Sequence, residues 1–122
     1  GIAYKAVLRM QEEFGCAPED IRAAIGPCIG RCCFEVGPEV PDAMREALGA
    51  DAEAAIEPRG EKAHVDLKLL NRIWLQKAGV QGIDVSPDCT MCHPDRFWSH
   101  RVTGGARGSQ AAIIRLKGGA AQ

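Results

Sequence analysis

The sequence predicts an α/β fold, with strands covered by helices, on three observations. Apolar residues recur at helical spacing in "IAYKAVLRMQEEF" and "LKLLNRIWLQK", short apolar runs alternate with them, and glycine or proline punctuates the junctions. With 122 residues, 46% hydrophobic and 25% charged, residues 1–122 suffice for one domain with a real core.

Residues 2–14 place Ile2, Ala3, Ala6, Val7, Met10 and Phe14 on one face and Lys5, Arg9, Glu12 and Glu13 elsewhere, which is a helix. No capping residue or turn introduces it, so the sequence is expected to begin inside a larger protein. "IRAAIG", 21–26, has the length of a buried strand, and the Gly-Pro punctuation of "GPCIGRCC" sets Cys28, Cys32 and Cys33 in or beside a loop at its end. "PEVPDAMREALG", 38–49, enters with prolines and stops at Gly49, a short helix. Residues 50–63 read as irregular. Asp66 is a good N-cap for a helix carrying Leu70, Ile73, Trp74 and Lys77 and closing at Gly79. "VQGIDV", 80–85, reads as a strand and "SPDCTMCHPDR", 86–96, as a loop. "FWSHRV", 97–102, and "SQAAIIRL", 109–116, read as a hairpin.

Charge and composition exclude several function classes. Fifteen basic against sixteen acidic residues give a net charge of -1, and aromatics make up 5%, so nothing recruits nucleic acid or an anionic membrane. No apolar run approaches the roughly 20 residues that span a bilayer, and the N-terminus lacks a secretory signal, which points to the cytoplasm. In that reducing compartment the six cysteines are expected as free thiols, and their plainest role is as small buried hydrophobes.

Cys89, Cys92 and His93 stand in C-x-x-C-H spacing. A c-type haem needs export and a second axial ligand, and of Met10, Met44 and Met91 the last lies in the loop itself. A redox pair needs a helix N-terminus at the thiols, whereas "DRFWSH" reads as a strand. A zinc site built from Cys28, Cys32 or Cys33 with Cys89, Cys92 or His93 has suitable ligands but a looser pattern than two matched C-x-x-C knuckles. As a strand, "FWSHR" directs Ser99 and Arg101 to one side and Trp98 and His100 to the other. Arg101 offers a fork of donors for phosphate or carboxylate, and His100 a proton-transfer group. "TGGARG", 103–108, has backbone N–H groups for an anion, and Glu35, His64 and Asp66 are candidate bases or supporting groups.

"AAIGPCIGRCCFEVG" at 23–37, "HVDLKLLNRIWLQKAGV" at 64–80, "CT" at 89–90 and "FWSHR" at 97–101 together resemble the multicopper polyphenol oxidase, or laccase-domain, family, also called YfiH-like. The resemblance implies an α/β (α+β) sandwich of mixed β-sheet layers covered by helices. It implies an enzyme acting on purine nucleosides with phosphate, by phosphorolysis of adenosine or inosine or by adenosine deamination, or an oxidase by older naming. Zinc or copper serves the full-length family. Its two histidine ligands and one cysteine ligand lie in motifs upstream of this chain, so no metal residue is carried over and the chain itself is expected to hold none. The resemblance makes residues 1–122 the C-terminal half of a larger domain, inactive alone, whose partners are the missing N-terminal half and, as a further option, a second copy. His100 and Arg101 are the expected catalytic residues, with Cys33, Glu35 and Ser99 lining the substrate. It also gives Cys89 a place without haem, so that C-x-x-C-H reads as coincidental. "RVTGGARGSQ" departs from the family's arginine-rich ending at Val102 and Ser109, which puts phosphate contacts there in doubt. The alternative reading is a non-enzymatic, cysteine-rich module for zinc binding or assembly.

Overall fold

The computed structural model describes residues 1–104, 106 and 108–115. Helix α1 spans Ile2–Phe14, strand β1 Arg22–Ile25, β2 Glu35–Val36, helix α2 Glu39–Leu48, β3 Ile56–Arg59, β4 Lys62–Val65, α3 Leu67–Lys77, β5 Gly82–Val85 and α4 His100–Thr103. The strands form two sheets. β1 and β5 pair in parallel, Ala23 opposite Ile83, while β2, β4 and β3 make an antiparallel sheet in that order, with His64 between Glu35 and Glu57.

Each sheet backs a separate apolar cluster. Met44, Leu48, Ala52, Ala55, Ile56, Ala63 and Val65 fill the first, under α2 and the antiparallel sheet. Val7, Ile21, Leu75 and Val80 fill the second, between α1 and the parallel pair. Helix α3 serves both: Leu70, Ile73 and Trp74 face the first cluster and Leu75 the second. A helix apolar on two sides suits a middle layer, and its start is fixed by Asp66, whose carboxylate accepts from the Leu69 N–H at 3.0 Å. The apolar face of α1 is only half covered: Val7 is buried, but Ile2 and Phe14 are 77% and 79% exposed.

Helices α1, α2 and α3 and the strands at 22–25 and 82–85 lie where sequence periodicity puts them. The stretch 50–63 does not: Gly49–Ala55 is a 3-10 turn and Ile56–Val65 a hairpin turning at Gly60, whose φ is 64°. Four-residue strands containing Pro58 and charged side chains carry too little alternation to be read. The expected hairpin at 97–116 is also absent. Ser99 caps the short helix α4 by accepting from the Val102 N–H, and residues 109–115 form no strand; Leu116 lies outside the described residues. The capping hydroxyl outweighed the aromatic run that suggested a strand.

Replacing Asp66 by Ala removes the α3 cap and should lower unfolding free energy by about 1 kcal/mol. Asp66→Asn keeps the accepting oxygen and loses only a half-exposed ion pair, so it should stay within about 0.5 kcal/mol of the parent. Urea titrations of the two variants decide.

Candidate functional site: a thiol cluster beside a cationic cleft

Parallel pairing of β1 and β5 runs on past the strands. Ser86 N–H donates to the Ile25 carbonyl at 2.8 Å, Thr90 N–H to the Cys28 carbonyl at 3.1 Å, and Cys28 bridges Cys89. The loops leaving the two strands are thereby held side by side. The first turns tightly at Gly30, whose carbonyl accepts from the Cys33 and Phe34 amides, and presents Cys32 and Cys33. The second presents Cys89 and Cys92. All four sulfur atoms lie within 4.8 Å of one another, with Cys92 Sγ 3.3 Å from Cys32 and 3.4 Å from Cys33.

An open cleft of about 380 Å³ adjoins the cluster, walled by Gly30, Cys32 and Cys89 on one side and by the start of α3 on the other. Arg31, Lys68 and Arg72 line it against the single carboxylate Asp66. The ammonium of Lys68 is buried and donates to the Ser86 carbonyl at 2.6 Å, and also to that of Asp88. Arg31 donates to the Ala54 carbonyl at 2.8 Å and stands 3.7 Å from Asp66, yet its Nε is buried with no partner among the described residues. Arg72 is exposed and, among the described residues, makes neither an ion pair nor a hydrogen bond.

A polar chain leads from the cleft to the segment after the second loop. His64 Nδ1 lies 2.6 Å from the Arg31 carbonyl, which only accepts, so Nδ1 carries the proton and Nε2 faces Glu35 at 3.8 Å. Arg101 donates to the Glu35 carbonyl at 3.1 Å and stacks on Phe34, 5.3 Å from the ring centre.

Residues 1–117 match the family described as multi-copper polyphenol oxidoreductase laccase. The chain belongs to the multi-copper polyphenol oxidoreductase laccase family. It is 38% identical to the purine nucleoside phosphorylase YlmD of Geobacillus stearothermophilus across 93% of this chain and 43% of that protein. The crystal structure of YlmD superposes with a TM-score of 0.82, at 39% identity, covering 88% of this chain and 41% of that one. The human purine nucleoside phosphorylase LACC1 is 35% identical over 96% of this chain and 28% of its own length. The adenosine deaminase RL5, from an unknown prokaryotic organism, is 37% identical over 85% and 41%. The chain thus spans less than half the length of these relatives.

For this laccase-family chain the α+β fold stands as expected. Among the site residues, Cys33 enters the thiol cluster, while Glu35 and Arg101 meet through the Glu35 carbonyl. Ser99 is buried and its hydroxyl is engaged as the α4 cap. His100 begins α4 with an exposed side chain. The two-sided strand arrangement of residues 98–101 gives way to a helical turn. In "TGGARG", Gly105 and Arg107 lie outside the described residues.

Of the three histidines, His64 is tied to the Arg31 carbonyl, and His93 and His100 are exposed. Among the described residues, Cys32, Cys33, Cys89 and Cys92 are the one group whose ligand atoms lie close enough together to hold a metal ion. Cys89 and Cys92 of the C-x-x-C-H stretch enter the cluster, whereas His93 stays outside it. Sequence spacing offered this grouping among several, with Cys28 and His93 as further options, because which pairs meet is decided only by the β1–β5 ladder.

Electrostatics distinguish the thiols. Burial opposes ionisation of Cys89, but the Gly30 and Cys92 amides and the Cys32 and Cys92 thiols all favour its thiolate and bring its pKa down to about 6. Burial and the thiol hydrogen bonds with Cys92 push Cys32 and Cys33 up, and burial does the same for Cys28. A group whose folded pKa is depressed stabilises the fold above its unfolded value and loses that contribution as pH falls through the folded one. Chelator-treated protein should gain stability between about pH 6 and pH 9 as Cys89 ionises in the folded state alone. Thermal melts across that window should rise for the parent and stay flat for Cys89→Ala.

Proposed function

We propose that the longer protein of which this chain forms part is a metal-dependent enzyme of the laccase-like family that acts on purine nucleosides, by phosphorolysis of adenosine or inosine and by adenosine deamination. The observation that carries the reading is the agreement of family, backbone and relatives: YlmD and LACC1 are purine nucleoside phosphorylases and RL5 an adenosine deaminase. The cleft supports it chemically. Three cations against one carboxylate favour an anion such as inorganic phosphate, and Arg72 has the donors for it.

In this reading His100 serves proton transfer, Arg101 steadies developing negative charge, and Cys33, Glu35 and Ser99 shape the nucleoside side of the site. Ser99 acts through its cap, setting where α4 presents His100 and Arg101. Zinc or copper bound elsewhere in the longer protein supplies Lewis-acid chemistry. The half-covered face of α1 supports a further segment of that protein packing there. A cytoplasmic location is in keeping with cysteines held as thiols. Among the described residues no helix is long and apolar enough to cross a membrane.

Incubating the longer protein with adenosine and inosine, with and without phosphate, should yield free base with ribose phosphate, and inosine from adenosine. Absence of all three products from metal-loaded protein would overturn the proposal. Arg72→Ala should raise the KM for phosphate about tenfold or more, the worth of one charge-assisted contact, while kcat changes less. The 122-residue chain alone should turn over negligibly, since in this reading the catalytic metal is bound elsewhere in the longer protein.

A further inference from the structure

We infer that Cys32, Cys33, Cys89 and Cys92 form a closed tetrathiolate site for one structural zinc ion, separate from the family's catalytic metal. Zinc bonds thiolate sulfur at about 2.3 Å, so four sulfurs in a tetrahedron around it stand about 3.8 Å apart. The four sulfurs here lie within 4.8 Å of one another, the closest measured pair at 3.3 Å, a spread that straddles the tetrahedral edge. Small side-chain rotations complete the shell.

The chemistry narrows the ion. An all-sulfur set selects a soft or borderline cation and rejects magnesium and calcium, which take oxygen. Sulfurs this close leave room for one ion and not for a multi-iron cluster with its bridging sulfides. Four protein ligands leave no open position for water or substrate, which makes the site structural. On binding, the thiols lose their remaining protons to solvent and the metal replaces them.

The surroundings are built for such an ion. Gly30 N–H donates to Cys89 Sγ at 3.2 Å, the kind of hydrogen bond that orients a metal-bound thiolate. A Cβ at Gly30 would stand 3.3 Å from Cys89 Cβ and 3.4 Å from Cys32 Sγ, so a side chain there presses on two ligands at once. Lys68 holds the backbone just before Cys89 through the Ser86 and Asp88 carbonyls. Of the remaining cysteines, Cys16 packs against the second apolar cluster and Cys28 donates to the Ile29 carbonyl, and neither belongs to the set.

The test uses the 122-residue chain purified under reducing conditions and supplied with zinc. One zinc per chain is expected by elemental analysis, with a melting temperature that falls on chelation and recovers with zinc but not magnesium. Cobalt(II) in its place should give the thiolate charge-transfer and tetrahedral d–d bands of a four-sulfur site. Cys92→Ser, at an exposed position, should weaken zinc more than about 100-fold, beyond the loss typical of a supporting contact. Gly30→Ala should weaken it less, and Cys16→Ser not at all. Any of three results overturns the inference: no zinc bound under reducing conditions, cobalt spectra without thiolate bands, or zinc affinity unchanged in Cys92→Ser. Because no readout is enzymatic, failure here leaves the nucleoside reading standing, and inactivity of the longer protein leaves this one standing.

Discussion

The parallel pairing of β1 with β5 is the constraint on which both functional features depend. Fifty-odd residues separate the two strands in sequence, and a parallel pair requires a crossover, here the whole stretch from β2 to α3. Both strands therefore end on the same side, and their exit loops leave in the same direction. The bridge between Cys28 and Cys89 extends the ladder by one contact and fixes the register of those loops. Had β5 run antiparallel, Cys89 and Cys92 would leave from the opposite end, far from Cys32 and Cys33.

Helix α3 is the second half of that constraint. It enters directly from β4 through the Asp66 cap, and its buried first-turn residue Lys68 reaches the backbone of the second loop. A buried ammonium is costly unless its donors are satisfied, and here two carbonyls satisfy it. That arrangement ties the antiparallel sheet, the helix and the β5 exit loop into one assembly. The same helix brings its cap Asp66 and the i, i+4 pair Lys68 and Arg72 to the cleft, so the charge pattern there follows from helical geometry.

What could be read from the sequence divides along one physical line. The helices α1, α2 and α3 and the strands β1 and β5 announce themselves by periodicity and glycine stops, because they are segments whose local pattern agrees with their burial. The hairpin at 56–65 was illegible because Pro58, Arg59, Glu61 and Lys62 mask its alternation, and only Ile56, Ala63, His64 and Val65 betray it by burial. At residues 97–103 two local signals competed, an aromatic run and a serine cap, and the cap prevailed. The thiol cluster was legible only as a set of options, Cys28, Cys32 or Cys33 with Cys89, Cys92 or His93. The cysteines that meet stand about sixty residues apart, and their spacing alone does not say which of them do.

The cleft and the cluster share a wall, and that has a consequence for how the cleft is shaped. Gly30, Cys32 and Cys89 belong to both, so the position of that wall is set by whatever holds the sulfurs together. Among the described residues the loops are joined by one backbone bridge, the Gly30–Cys89 hydrogen bond and weak thiol contacts with Cys92. Four metal–sulfur bonds are far stiffer than these, and they would fix the distance between the Arg31 turn and the β5 exit loop. Arg31 is held by Ala54 and Asp66 with its buried Nε unpaired, and Lys68 is held by two carbonyls, which leaves exposed Arg72 as the cleft cation whose whole guanidinium is unengaged among the described residues. If the cleft takes an anion as proposed, binding depends chiefly on the adjustable Arg72 facing that wall, and the rigidity of the wall sets how much entropy is lost on binding.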